Sequence, residues 1–178
     1  MNCSMVRSDI VHRMHPQQGA YTLEFAAGFV AFFLLMYGVL TYGVLFAAQQ
    51  SLNLAAENGA RKALSWQPSL QDRMARAQHE VRRATGWVDA LGGDGALEVA
   101  ICVGDTVYAD TRLGDCAGQP PQSNQLRVVA LYPYHESPLV PLLGPASLLS
   151  LAVPQYLKGE ATISLDIAAL AASGGSND

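Results

Sequence analysis

From Phe25 to Ala48 the chain runs for 24 positions without a charge, bounded by Glu24 on one side and the polar pair Gln49-Gln50 on the other. About 20 apolar helical residues cross a bilayer core, so this run is long enough to span one with some tilt. A cleavable secretory signal would show an apolar region of about 7–15 residues and a small-x-small exit. Here the run is longer, and exits after Ala47 or Ala48 put Leu45 or Phe46 at the −3 position. The glycines at 28, 38 and 43 do not fall at G-x-x-x-G spacing, so they read as ordinary membrane-helix glycines. Helix-forming residues continue through Gln49–Leu64, with no proline before Pro68. The segment from Ala20 to Leu64 would be roughly 68 Å long as one helix.

The rest of the 178 residues leaves room for one modest folded domain beside that segment. Charge is unevenly placed. Arg7, Arg13 and Asp9 give the first nineteen residues a sum of +1, which leaves −5 on the remainder of a chain whose net charge is −4. A basic start before a membrane helix and an acidic remainder fit a cytoplasmic N-terminus. The acidic balance argues against a nucleic-acid partner, which would need a basic face. Of the three cysteines, Cys3 lies in the leader with no apolar segment before it, which excludes a lipoprotein site. Cys102 and Cys116 lie beyond the span, where an oxidising compartment would let them pair. The alternative is two independent thiols.

The junction at the start of the helix carries the most chemistry: Gln17-Gln18-Gly19-Ala20-Tyr21-Thr22-Leu23-Glu24-Phe25. A glycine closes a polar, basic leader, and a lone carboxylate follows five residues later at the lip of the span. A carboxylate inside a membrane helix costs about 2.5–3.5 kcal/mol at the centre and less near an end. Cutting after Gly19 would create an α-amine on Ala20 about one turn from Glu24, and its ordinary pKa lies near 7.7–8.0. Within one chain the two charges partly neutralise each other. Between staggered neighbours, the amine of one meets Glu24 of the next and fixes axial register. The plainer reading makes Glu24 a marker of the membrane boundary near a helix N-terminus.

These residues resemble a prepilin peptidase site, and the wider stretch is similar to the TadE-like family of tight-adherence pilus assembly proteins. The similarity rests on Leu23-Glu24-Phe25-Ala26, on Tyr42 through Leu52 (YGVLFAAQQSL) and on Ala55 through Arg61 (AAENGAR). It implies a single-pass pseudopilin, cleaved between Gly19 and Ala20 by a dedicated membrane peptidase, with Glu24 and the adjoining Phe25 serving recognition and assembly. It also implies partners: the prepilin peptidase, other pilins or pseudopilins, the inner-membrane assembly platform and the lipid bilayer. Val30 stands where many members have proline. Ala20 differs from the methylated phenylalanine of pilins, and Phe25 from the tyrosine of the short major subunits. These departures favour a minor component. The competing expectation is a membrane-anchored periplasmic scaffold that is processed but never polymerises. Both place the chain in a bacterial inner membrane with its C-terminal domain in the periplasm.

Beyond the span, Pro68-Ser69 breaks the helix, and Ser69 with Asp72 makes a capping-box-like start. Leu70, Met74, Ala77, Val81, Ala84, Val88 and Leu91 then recur in steps of four and three, predicting an amphipathic helix that ends at Gly92-Gly93. Arg73, Arg76, Arg82 and Arg83 are expected on its solvated face. Period-two patterning predicts strands at Leu97–Val103, Gln125–Tyr132 (apolar almost throughout, as in a central strand) and Ala161–Ile167. The stretch between Cys102 and Cys116 reads as a Gly/Asp-rich loop whose Asp105, Asp110 and Asp115 are solvated turn residues, not calcium ligands. Four prolines divide the uncharged run Ser137–Leu157, predicting a loop with a short helix near Ala146–Ala152 and no second span. The fold expected is α+β: a long membrane-spanning, pilin-like helix, then an amphipathic helix packed on a small antiparallel sheet. The expected division is a leader at 1–19, a helix at 20–66 with its span at 25–48, a periplasmic domain at 69–168 and a disordered tail at 169–178.

His79 and His135 are the only histidines past the leader, and no nucleophile motif lies near either. Phosphate loop, dinucleotide fingerprint and metal-ligand spacing are all missing from the sequence. No enzymatic activity, cofactor, metal or small-molecule substrate is expected.

Overall fold

The computed structural model describes residues 18–93, 95–104, 106–109, 121–122, 124–141 and 153–165. The expected leader up to Gln17, Cys116, the three loop aspartates, the short helix near Ala146–Ala152 and the C-terminal tail lie outside them. The chain divides into two compact units, Met1–Leu40 and Thr41–Asp178.

Helix α1, Gln18–Ala63, begins in the first unit and supplies the first element of the second. Its surroundings change at Thr41. From Tyr21 to Met36 every residue is exposed, large apolar side chains included. From Thr41 onward one stripe is buried: Thr41, Leu45, Ala48, Leu52, Ala55, Ala56, Gly59, Ala60 and Ala63. These positions recur at helical spacing, so one side of the helix faces a core. Small residues dominate the stripe and let neighbouring backbones come close.

Helix α2, Leu70–Gly92, starts as the sequence predicts: the Ser69 hydroxyl accepts the Asp72 backbone N–H at 3.1 Å, a cap worth about 1 kcal/mol. The helix ends before Gly93 at φ 105°. Met74, Ala77, Val81 and Val88 face the core as expected, and so does Thr85, whose hydroxyl donates to the Val81 carbonyl at 2.8 Å. Two positions differ. Leu91 is 59% exposed, and Arg73, expected on the solvated face, is buried. Position 73 sits on the flank of the core face, where the aliphatic stem of an arginine covers apolar surface. Its Nε finds no hydrogen-bond partner among the described residues.

Four strands form one antiparallel sheet in the order β2-β1-β3-β4: β1 Glu98–Val103, β2 Thr106–Ala109, β3 Gln125–Tyr132 and β4 Leu157–Ser164. β3 is central, as its apolar sequence predicts. Val99 opposite Ala130 and Ile101 opposite Val128 join the helices in one core, while Ala100, Val129 and Cys102 occupy the other face. Thr106–Ala109, expected within a loop, pairs as β2. Gly104 at φ 53° supplies the left-handed turn that brings it back on β1, and threonine, valine and tyrosine suit a strand. β4 starts four residues earlier than its alternation suggests, because Gly159 fits against the backbone of α1 at Leu52 and Asn53.

Candidate functional site

In the first unit, the Gly19–Ala20 bond lies within α1, which is described from Gln18 onward. The first turn contains no acidic residue; Glu24 follows one turn later. Helical spacing places Glu24 on one side with positions 20, 21, 27 and 28. A Cβ added to Gly28 would meet nothing within 4 Å, so the wall beside the carboxylate is low and open. Phe25 is 74% exposed and stacks on Phe29, with ring centroids 6.3 Å apart. Further along, Phe32, Leu35, Val39 and Leu40 are all more than half exposed. A soluble domain would not leave so long an apolar surface uncovered. Among the described residues α1 is the one helix long and apolar enough to cross a membrane, and its uncovered first half distinguishes it from a core helix. By length, composition and exposure, α1 suits a single membrane pass.

In the second unit, a surface groove of about 650 Å³ lies between the end of α1 and α2, lined by Lys62, Gln67, Asp72, Arg76, His79 and Glu80 among others. Glu80 pairs with Arg83 at 2.7 Å, and the hydrogen bond from that guanidinium holds its carboxyl below the usual range. The guanidinium is solvated while Glu80 is partly covered, and a pair so open to water on one side adds little stability. His135 lines a separate, smaller cavity with Glu136, Gln155 and Tyr156. The two histidines are therefore not brought together. Among the described residues no three histidine, cysteine or acidic side chains gather where they could hold a metal ion. Cys102 is fully buried in β1 opposite Val107 and Arg127.

The junction, the carboxylate and the helix that follows are one continuous element, and that element decides the comparison with known proteins. Residues 19–61 match the TadE-like protein family. The TadE-like segment includes Gly19, Ala20, Glu24 and Phe25, and it ends two residues before α1 does. It therefore takes in the exposed apolar half and most of the buried stripe, while α2 and the sheet lie outside it. The similarity covers about a quarter of the chain and is confined to α1. No curated protein and no solved structure matches the chain.

What sequence reasoning missed is the second role of α1. The buried stripe from Thr41 to Ala63 was legible as helical spacing, but it lay inside or next to a run that is apolar on every side. Burial of Arg73 left no signal in composition.

Proposed function

We propose that this chain is a minor pseudopilin-like assembly protein of a tight-adherence pilus, cut after Gly19 by a prepilin peptidase and held in the inner membrane by α1. Its basic N-terminus stays in the cytoplasm and its acidic folded unit occupies the periplasm. The observation that carries this reading is the fully exposed apolar half of α1 with a single carboxylate, Glu24, at its entry. A helix of that kind needs lipid or neighbouring helices around it, and a filament core of packed helices supplies the second. The new amine on Ala20 and the Glu24 carboxylate, offset by one turn, give two opposite charges with which staggered copies set their register.

The processed chain is expected to begin at Ala20. Intact-mass measurement and N-terminal sequencing of protein from cells that contain the cognate peptidase check this, with Gly19→Leu as the uncut comparison. Recovery of Met1–Gly19 on the wild-type chain under those conditions would overturn the reading.

We also infer a Cys102–Cys116 bridge in the periplasmic unit. Support comes from Cys102 itself, which is fully buried near the end of β1, fourteen positions before Cys116. Closing a loop of about this length contributes on the order of 3 kcal/mol in the chain-entropy picture. Reduction should slow the electrophoretic mobility of the wild type, and Cys102→Ser should run at the reduced position without reductant. Identical mobility of the oxidised wild type and Cys102→Ser would count against the bridge.

A further inference from the structure

The folded unit starts too early along α1 to stand clear of the membrane. From Phe25 to Leu40 the helix rises about 24 Å, short of a hydrocarbon core about 30 Å thick. With Glu24 at one lip, roughly 20 residues are needed to reach the other, and they end at Val44. By then the chain is already inside the second unit, where Thr41 and Leu45 are buried. Tilt of the helix moves the exit further along still. Whatever part of the folded unit lies beside Thr41–Ala48 must meet lipid headgroups.

The contacts identify that part. Trp87 donates its indole N–H to the Ser51 hydroxyl at 3.0 Å, while further along α1 a Cβ on Gly59 would meet Val81. α2 therefore runs antiparallel to α1, and its last turn points back toward the exit. The Gln49 amide donates to the Lys158 carbonyl at 2.7 Å, which brings the start of β4 to the same end. Tyr132 pairs with Leu157, and its hydroxyl fills the space beside Gly92 while donating to the Ser137 carbonyl at 2.6 Å. The end of the unit nearest the exit thus gathers Tyr42, Phe46, Trp87, Leu91 and Tyr156. All five are exposed, from 39% for Trp87 to 64% for Phe46.

We propose that this end of the folded unit rests in the headgroup layer of the bilayer, with Trp87, Leu91 and Tyr156 as interfacial anchors beside Tyr42 and Phe46. Tryptophan and tyrosine favour that layer because an apolar ring body and a polar tip suit its two sides. Ser51 lies about 10 Å past Val44, which sets Trp87 at the outer part of the layer, and Leu91 one turn deeper. Asp89 and Glu136 are acidic, and the one lysine placed at this end, Lys158, is paired with Glu160, which argues against attraction to anionic lipid. The surface is fitted to the interface of a neutral phospholipid. This proposal rests on α1 spanning the membrane.

The chain carries its own probes, since it contains two tryptophans. Trp66 is 78% exposed and follows the end of α1, about 18 Å or more farther from the exit than Ser51. The full chain, as Trp66→Phe or as Trp87→Phe, is reconstituted into phosphatidylcholine vesicles that carry a nitroxide quencher on the choline headgroup. Trp87 emission is expected to fall by roughly half, while Trp66 emission changes little. Equal, weak quenching of both tryptophans in protein that floats with the vesicles would overturn the proposal while leaving the membrane anchor intact. Failure to float with the vesicles would overturn the anchor and this proposal together. Quenching of the wild-type chain intermediate between the two variants guards against a folding defect in either.

Discussion

Alanine at position 159 is expected to destabilise the folded unit by about 3 kcal/mol, the upper end for overpacking a tight interior. An added Cβ would overlap the carbonyl carbon and oxygen of Leu52 and stand 2.8 Å from the Asn53 nitrogen. All three are backbone atoms of α1, so no rotamer change relieves the overlap. The strand or the helix must move, and β4 is held along its whole length by β3. In thermal unfolding of the full chain in detergent this corresponds to a fall of roughly 10–20 °C. Gly59→Ala provides a graded comparison. Its Cβ would come 2.5 Å from a Val81 methyl group, which can turn aside, so a smaller loss is expected. Gly28→Ala, with open space around it, should leave the transition unchanged. A Gly159→Ala midpoint equal to the wild type would show that β4 does not lie on α1 as described.

Glu24→Ala is expected to leave processing and membrane insertion intact and to remove the chain from assembled filaments by tenfold or more, equivalent to about 1.4 kcal/mol or more per contact. The sign makes the experiment informative. Loss of a carboxylate makes the helix cheaper to place in lipid by up to about 2.5–3.5 kcal/mol, so a purely local role predicts no defect. A defect confined to assembly then points to a partner charge on another copy or on a neighbouring pilin. Sheared pilus fractions and membrane fractions from wild-type and variant cells provide the measurement. Absence of the chain from pili in both strains, with pili still dependent on it, would replace the filament reading by the scaffold one.

The legible parts of this fold are those written in local chemistry. Ser69 and Asp72 announce the start of α2, Gly92-Gly93 its end, and the uninterrupted apolar run of β3 its central place in the sheet. β2 escaped notice because four residues between glycine and aspartate positions give too short an alternation to separate from a loop. The early start of β4 depends on Gly159, whose value is the absence of a side chain against a helix more than a hundred residues away. Arg73 looked like its solvated neighbours, since burial of an aliphatic stem on a helix flank leaves no mark on charge patterning. At the candidate site, Glu24 was visible as a lone charge at the edge of an uncharged span. The division of α1 at Thr41 was not, because lipid-facing and core-facing helix surfaces call for the same apolar residues.

That division also bears on the timing of synthesis. The Gln49 amide reaches the Lys158 carbonyl across 109 positions, so the groove that β4 fills is among the first parts of the unit to be made and the strand among the last. While the chain is made, α2 and β3 can cover the stripe near Gly59, but the part at Leu52 and Asn53 stays uncovered until Leu157–Ser164 arrives. Contacts this distant in sequence form slowly. Completion of the core thus waits on β4, and a chain that stops short of it keeps the face of α1 at Leu52 and Asn53 open.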